Sequence, residues 1–404
     1  MMDTEAGLPI MGTFAGAPAE AGAEQMASEG GRDRLDRPIS VTLFVVVVAL
    51  FSGRVAAEYR PLTYLIGDCP YYAATAVSLI EDHDLDLRNQ LSGGLAIHGR
   101  QIALGRDGAW YPKHPLLMPI AAIPFVLLFG VPGTLVFNLV VLSLLAVVLM
   151  RLARTVAPPW AAALAAFLLI AGTFLRRYDY NFSPDLFATL VLSAALLALL
   201  HGRDRLGGLL LGLSVTAKLT DLFLVPLGPI YAHSCRGWRA AVRASLAAAV
   251  PLAAYGLSNF ALFGSPWVTS YDRNVAVADG AFVTVGHRGL FDQGVLSGLA
   301  GELFDPVHGL LPTSPILLLA IPGFVLLLRR RPREAVLFLA IGEFLLLFFA
   351  TYRYWSASHY GNRFLMPLVA VTAPSIALSL QWIVVWLRSR LMRGQEAAIL
   401  NVSP

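Results

Sequence analysis

The chain of 404 residues is 57% hydrophobic and only 14% charged, with a mean hydropathy of +0.66. A soluble domain of this length carries nearer a quarter charged residues, so the composition excludes a water-soluble globular enzyme and indicates an all-α polytopic membrane protein. The net charge of +4 and pI near 9.1 do not point to nucleic acid, because arginines gather in cytoplasmic loops of membrane proteins for topological reasons.

Residues 1–38 are rich in Ala, Gly and Glu, lack apolar periodicity and predict a disordered cytoplasmic tail. A first span over Ile39–Ala57 follows Arg32, Arg34 and Arg37, which hold the N-terminus inside. Residues 58–115 then form an external loop. Its stretch Gly67–Asn89 gathers Asp68, Glu81, Asp82, Asp84 and Asp86, a cluster that is costly beside a bilayer unless solvated or functional. Pro70–Ile80 suits a short helix with Tyr71, Tyr72 and Thr75 near one side, and Asp68 sits just before its N-terminus, where the helix dipole favours an ionised carboxylate. Leu116–Phe129 is apolar but short and interrupted by Pro119 and Pro124, which suits an interfacial or re-entrant piece.

From there the arginines impose an alternation. Spans are expected over Val131–Met150, Pro158–Phe174 and Leu186–Leu200, with Arg176 to Asp185 delivered to the outer face. Leu206–Ala217 and Leu219–Tyr231 are each too short to cross and form a hairpin with Lys218, Thr220 and Asp221 at its outward tip. Ala244–Phe260 crosses outward, residues 261–310 form a second external loop, and Leu311–Leu328 returns to Arg329, Arg330, Arg331 and Arg333. Ala335–Ala350 and Phe364–Leu387 complete the domain (residues 39–390), and residues 391–404 form a cytoplasmic tail. The expected fold has about ten transmembrane helices plus the re-entrant or interfacial helix, with two larger external loops carrying short helices. Cys69 and Cys235 fall on opposite sides and form no disulfide. Glu343 lies mid-span, outside the groups that converge on the outer face.

That face collects Asp68, Lys113, His114, Arg176, Arg177, Asp185, Lys218, Tyr271, His359, Tyr360 and Arg363. Lys113 and Lys218 are the sole lysines in the sequence, which a coding bias towards arginine also explains. Positive charge on the outer side nonetheless runs against the positive-inside tendency, and an anionic substrate such as a lipid phosphate accounts for it. Glu81, Asp82, Asp84 and Asp86 have two readings: a divalent-cation site of hard oxygens, or a solvated loop with helix-capping acids. Tyr71, Tyr72 and Trp110 suit either sugar stacking or anchoring at the membrane interface.

The order of these features resembles the membrane glycosyltransferases of the C superfamily, in the branch of protein O-mannosyltransferases and lipid A aminoarabinose transferases. The similar elements are Gly67-Asp68-Cys69-Pro70-Tyr71-Tyr72 after the first span, Tyr111 to Pro115 ahead of Leu128 to Gly130, Gly212-Leu213 with Lys218, and Asn259 to Pro266. The family pair Asp-Glu is Asp68-Cys69 here. No soluble domain is expected after the last span, so the loops would capture the acceptor.

The resemblance implies transfer of a sugar from a polyprenyl-phosphate donor to an acceptor hydroxyl on a glycan, lipid or protein. The site would lie on the external face, and the resemblance places the protein in the bacterial inner membrane. Such a reaction needs a base for the acceptor proton, with Asp68 as the candidate. Cations must receive the phosphate charge, with Lys218, Arg363, Arg177 and Lys113 as candidates. Tyr71, Tyr72, His114, Asp185, His359 and Tyr360 are expected to bind substrate. Direct attack inverts the anomeric centre, and no cofactor is required; a divalent cation enters only under the first of the two readings of the acidic cluster. A transporter or flippase of lipid-linked sugars, or an inactive member of the same fold, is the alternative. A transporter calls for paired broken helices in two related halves, and the broken hairpin here has no counterpart.

Overall fold

The computed structural model describes residues 19–60, 62–92, 101–178, 181–278, 281–284, 289–357 and 360–400. Helix α1 (Ala19–Glu58) begins well upstream of Ile39. The tail expected to be disordered over 1–38 is thus helical from Ala19, as its Ala- and Glu-rich composition permits. The first loop carries α2 (Cys69–Glu81) and α3 (Arg88–Ser92). The bundle continues through α4 (Leu117–Phe129), α5 (Gly133–Arg154), α6 (Pro159–Gly172), α7 (Pro184–Leu200), α8 (Asp204–Ala217), α9 (Leu227–Arg236) and α10 (Trp238–Phe263). After the second loop, with α11 (Val295–Phe304), come α12 (Leu310–Thr313), α13 (Ala320–Arg330), α14 (Pro332–Ala350), α15 (Met366–Val371) and α16 (Ala373–Leu400).

Helix α5 is the hub. It packs against α1, α4, α6, α7 and α16, and its core face is built of Leu135, Leu142, Leu145, Leu149 and Leu152, all fully buried. Outward-facing apolar residues such as Leu246, Val250 and Leu257 on α10 remain more than half exposed, as a lipid-facing surface requires.

Among the described residues, three helical stretches are long and apolar enough to cross a membrane: Asp36–Glu58, Gly133–Arg154 and Trp238–Phe263. A bent pair, Arg363–Val371 and Ala373–Leu391 meeting at 48°, makes a fourth. By length and composition the structure therefore falls short of the expected ten full spans. The remaining apolar helices are shorter, including Pro159–Gly172 and Pro184–Leu200. The span expected over Leu311–Leu328 is not continuous. It divides into α12, a 3-10 turn over Pro315–Leu319, and α13, because Pro315 follows Ser314, the C-cap of α12, and a proline disfavours helical geometry in the residue before it.

The loops are also more than helices. Strands β1 (Ile102–Leu104), β2 (Trp110–Pro112), β3 (Asn274–Ala278) and β4 (Ala281–Thr284) form one antiparallel sheet in the order β2-β1-β3-β4. The central pairing sets Ile102 opposite Val275, tying the first loop to the second. Helix α2 lies under this sheet, with every residue from Cys69 to Ser78 buried rather than one side alone.

Candidate active site

Asp68 occupies the N-cap position of α2, but its side chain makes no capping bond. Gly67, at φ +60°, turns the chain into the helix and leaves the carboxylate aimed at the bundle. There Arg363 Nη2 donates to Asp68 Oδ2 at 3.0 Å, and His114 Nε2 stands 3.9 Å from Oδ1. The same guanidinium faces a second carboxylate, with Nε 3.8 Å from Asp185 Oδ2, and Asp185 Oδ1 pairs with Lys218 Nζ at 2.7 Å. Asp68, Arg363, Asp185 and Lys218 thus form one chain of alternating charge, contributed by four separate parts of the sequence.

Each member is held by its local structure. Asp185 sits in the first turn of α7, where the helix dipole favours its charge. Lys218 ends α8, and its ammonium lies over the rings of Phe364 (5.3 Å) and Phe349 (5.6 Å). Arg363 opens the 3-10 turn Arg363–Leu365, which the preceding Asn362 caps by accepting from the Phe364 N–H. Asn362 Nδ2 donates in turn to the buried Glu302 Oε1 at 3.2 Å, so α11 of the second loop braces the arginine.

His114 stacks on Tyr72, with ring centroids 4.8 Å apart, and its Nδ1 is 3.2 Å from the Tyr271 hydroxyl. Burial pushes the imidazole down to about 4, so it is neutral at physiological pH. Desolvation on its own raises the Asp68 carboxyl; in the acid range where it titrates, positive charge from the then-protonated His114 and from Arg363 outweighs it and holds the group below the ordinary carboxylate range. With His114 neutral, Arg363 is the standing counter-ion of Asp68. Burial likewise lowers Lys113, which Asp68 partly restores. The Cys69 thiol is pushed up to about 12, chiefly by burial, and stays protonated beside Asn181; it is no nucleophile.

A cavity of about 220 Å³ opens beside His114 between α4, α8 and α10, with Leu117, Ile120, Leu213, Thr216 and Phe263 among its walls. It is mostly apolar and borders the charge chain through His114, which lines it and whose Nε2 stands 3.9 Å from Asp68 Oδ1.

Comparison of the sequence with protein-family models and with curated proteins finds no match. Solved structures do match. ArnT from Cupriavidus metallidurans bound to undecaprenyl phosphate superposes with a TM-score of 0.55 over 83% of this chain, at 14% identity. The chain has the ArnT fold. The apo state of ArnT gives a TM-score of 0.52 over 88% of the chain, also at 14% identity. In both comparisons the chain spans 60% of the length of ArnT. A looser likeness, at TM-score 0.46 and 16% identity, is to the Archaeoglobus fulgidus oligosaccharyltransferase, over 89% of this chain and 52% of that one. ArnT is a lipid A aminoarabinose transferase, so the fold is the one the ordered motifs pointed to.

Within the ArnT fold the other expected site residues separate into groups. Lys113 stands one shell back, donating to Gln101 Oε1 at 2.7 Å beneath the Tyr271 ring. Arg177 is exposed and lies over the Tyr360 ring at 5.2 Å, and among the described residues it makes no ion pair with Asp68 or Asp185. Tyr360 accepts through its backbone oxygen from Tyr178. Tyr71 packs with Ile102 and Val275 under the sheet, where it fixes the loops rather than lining the site. Trp110 joins that cluster and donates its backbone N–H to Asp86. His359 lies outside the described residues.

The acids after α2 cap turns: Asp84 accepts from Ser78 and from the Asp86 N–H, and Asp82 accepts from Asn89 and Gln90. Among the described residues no three His, Cys, Asp or Glu side chains are grouped to hold a metal. Glu343 is exposed on α14.

One residue escaped the sequence reading, and a second was read only as part of the hairpin tip. Glu302 reaches Asn362 across 60 positions, and nothing local marks it. Asp221, buried beside the Lys218 turn with Oδ2 lacking a hydrogen-bond partner, was signalled by its position three residues after a lysine at a hairpin tip.

Proposed function

We propose that the protein is an integral-membrane glycosyltransferase that moves a sugar from a polyprenyl-phosphate donor to an acceptor hydroxyl at the external face. The observation that carries this reading is the Asp68–Arg363–Asp185–Lys218 chain, two cations and two carboxylates converging beside an apolar cavity. The shared fold with ArnT, whose structure holds undecaprenyl phosphate, supports the choice of donor. The shorter helices would complete the crossings, as pairs or broken spans, bringing the total towards ten.

In this reading Arg363 and Lys218 bind the donor phosphate, and the prenyl chain lies in the cavity lined by Leu117, Ile120 and Leu213. The acceptor oxygen attacks the anomeric carbon from the face opposite the phosphate, inverting it. The carbon–oxygen bond to phosphate breaks, its electron pair leaves with the phosphate, and the acceptor proton passes to Asp68. The cations receive the charge that develops on the leaving group. A phosphate drawn to Arg363 competes with Asp68 for the same guanidinium, so donor binding frees the carboxylate and raises its basicity where a base is needed.

The test is binding of a short-chain polyprenyl phosphate to the purified protein, alongside turnover with a set of polyprenyl-phosphate sugars. Saturable binding that Arg363→Ala weakens, with turnover lost in Asp68→Asn, is the expected result. Binding unaffected by Arg363→Ala would remove the donor assignment, and turnover retained in Asp68→Asn would move the base to Asp185.

A further inference from the structure

At the opposite end of the bundle lies a cavity of about 760 Å³ that the transfer site does not use. The separation follows from α7: Asp185, in its first turn, belongs to the site, whereas Ala194, Leu197 and Leu200 near its other end line the cavity. The charged wall consists of Arg151 and Arg154 from the last turn of α5, Arg203, Arg331, and the carboxylates Asp36 and Glu334. Among the described residues, four arginines therefore face two acids.

Both acids are already engaged. Asp36 pairs with Arg154 at 2.7 Å and stands 3.8 Å from Arg151, and Glu334 accepts from the Tyr231 hydroxyl at 3.2 Å. The guanidinium groups of Arg203 and Arg331 are exposed and have no protein partner among the described residues. The first turn of α14 lines the same space and adds the positive end of its dipole. An adjoining cavity of about 450 Å³ shares Arg154 and Arg331 and adds Arg330, extending the basic surface. Apart from Thr155 and His201 the remaining wall is apolar, with Leu197, Leu206 and Leu210 running along the bundle.

The positive-inside tendency explains arginines in loops at this end. It does not explain unpaired arginines converging on one cavity that has an apolar wall. We propose that this cavity binds a phosphate-bearing anion, its phosphate held by Arg203 and Arg331 against the braced Arg151–Arg154 pair. The size is ample for a headgroup, and the apolar wall suits the upper part of an acyl chain, which is the chemistry of an anionic phospholipid. A free phosphate compound presents the same group to the same arginines. The inference is independent of the transfer reaction.

The test uses the full chain purified in neutral detergent, with dioleoyl phosphatidylglycerol, the matching phosphatidylcholine and inorganic phosphate as probes. Native mass spectrometry counts bound lipid, and thermal unfolding reads protection by each probe. Two double variants carry the same charge loss: Arg203→Gln/Arg331→Gln at the cavity, and Arg329→Gln/Arg333→Gln on neighbouring exposed arginines that do not line it. Each basic side chain facing an anionic lipid accounts for roughly a fivefold change, so the cavity pair is expected to weaken phosphatidylglycerol binding about 25-fold while the control pair changes it little. Inorganic phosphate protecting as well as the lipid, with protection lost only in the cavity variant, supports the site and assigns it to a soluble phosphate compound. Equal loss in both variants shows diffuse charge attraction and overturns the proposal, as does protection by neither probe.

Discussion

Asp68 owes its chemistry to Arg363, and that dependence shapes what substitutions do. Asp68→Asn removes the proton acceptor with almost no change of volume, so turnover is expected to fall by a factor on the order of 10² to 10⁴ in protein that still binds the polyprenyl phosphate. Arg363→Lys keeps the charge but lacks the fork that spans Asp68 and Asp185, and is expected to rescue donor binding only in part. His114 gives a pH signature. Its folded value of about 4 lies below the unfolded value near 6.5. As the pH falls through that window the unfolded chain takes up a proton that the folded chain refuses. The stabilisation from neutral His114 is complete above 6.5 and is lost as the pH approaches 4, on the order of 3 kcal/mol for one imidazole. The depressed Asp68 carboxyl adds a loss of the same sign at still lower pH. Melting temperature in detergent is therefore expected to drop between pH 7 and 4.5, with a shallower slope in His114→Gln; an unchanged slope would show that His114 titrates normally. Asp68, Asp185, Lys218 and Arg363 were legible because a charge in an apolar chain needs a reason. Glu302 was not, because its reason is a side chain 60 residues away that packing alone brings to it.

Helices α8 and α10 set the position of Lys218 by approaching closely at small residues. A Cβ on Gly208 would stand 2.0 Å from the Ala244 carbonyl oxygen, and one on Gly212 would stand 2.4 Å from that of Ala248. These glycines, four apart, face alanines four apart, the small-residue spacing that lets membrane helices touch. Gly208→Ala must push the backbones apart, at a cost of about 1–3 kcal/mol, and the displaced α8 carries Lys218 with it. Reduced thermal stability together with weaker binding of polyprenyl phosphate is the expected outcome, against no effect from Gly53→Ala, whose added Cβ meets open space. Normal donor binding in Gly208→Ala would show that Lys218 is held from elsewhere. The helices α2 and α4 to α8 were legible to within a few residues, whereas the segment expected over Leu219–Tyr231 opens with a 3-10 turn (Leu219–Leu224) before α9 begins at Leu227, and α10 starts at Trp238 rather than Ala244. The sheet was not legible, because β1 and β2 have three residues each, too few for an alternating pattern. Two of its pairings are short hairpins, β1 with β2 and β3 with β4, and the β1–β3 pairing that joins them spans more than 150 residues.

At the scale of the molecule the polar chemistry segregates. One end of the bundle holds the alternating carboxylates and cations under the sheet, and the other ends in Arg151, Arg154, Arg203 and Arg331 around the basic cavity. The arginine pattern along the chain foretold that division, because each apolar segment reports by its flanking charges which side its ends occupy. It did not foretell how segments of fewer than 18 residues share the crossing, since length sets reach but not tilt or pairing. The sidedness itself is testable through two exposed positions at opposite ends, Ser297 on α11 and Arg329 on α13. With Cys235 changed to serine and Cys69 buried, a single introduced cysteine can be read without background. In intact cells a membrane-impermeant maleimide is expected to label Ser297→Cys and to reach Arg329→Cys only after permeabilisation. The reverse pattern would put Asp68 and Arg363 on the cytoplasmic side. The donor phosphate would then have to be met there, and the external-face reaction would be excluded whatever the site residues bind.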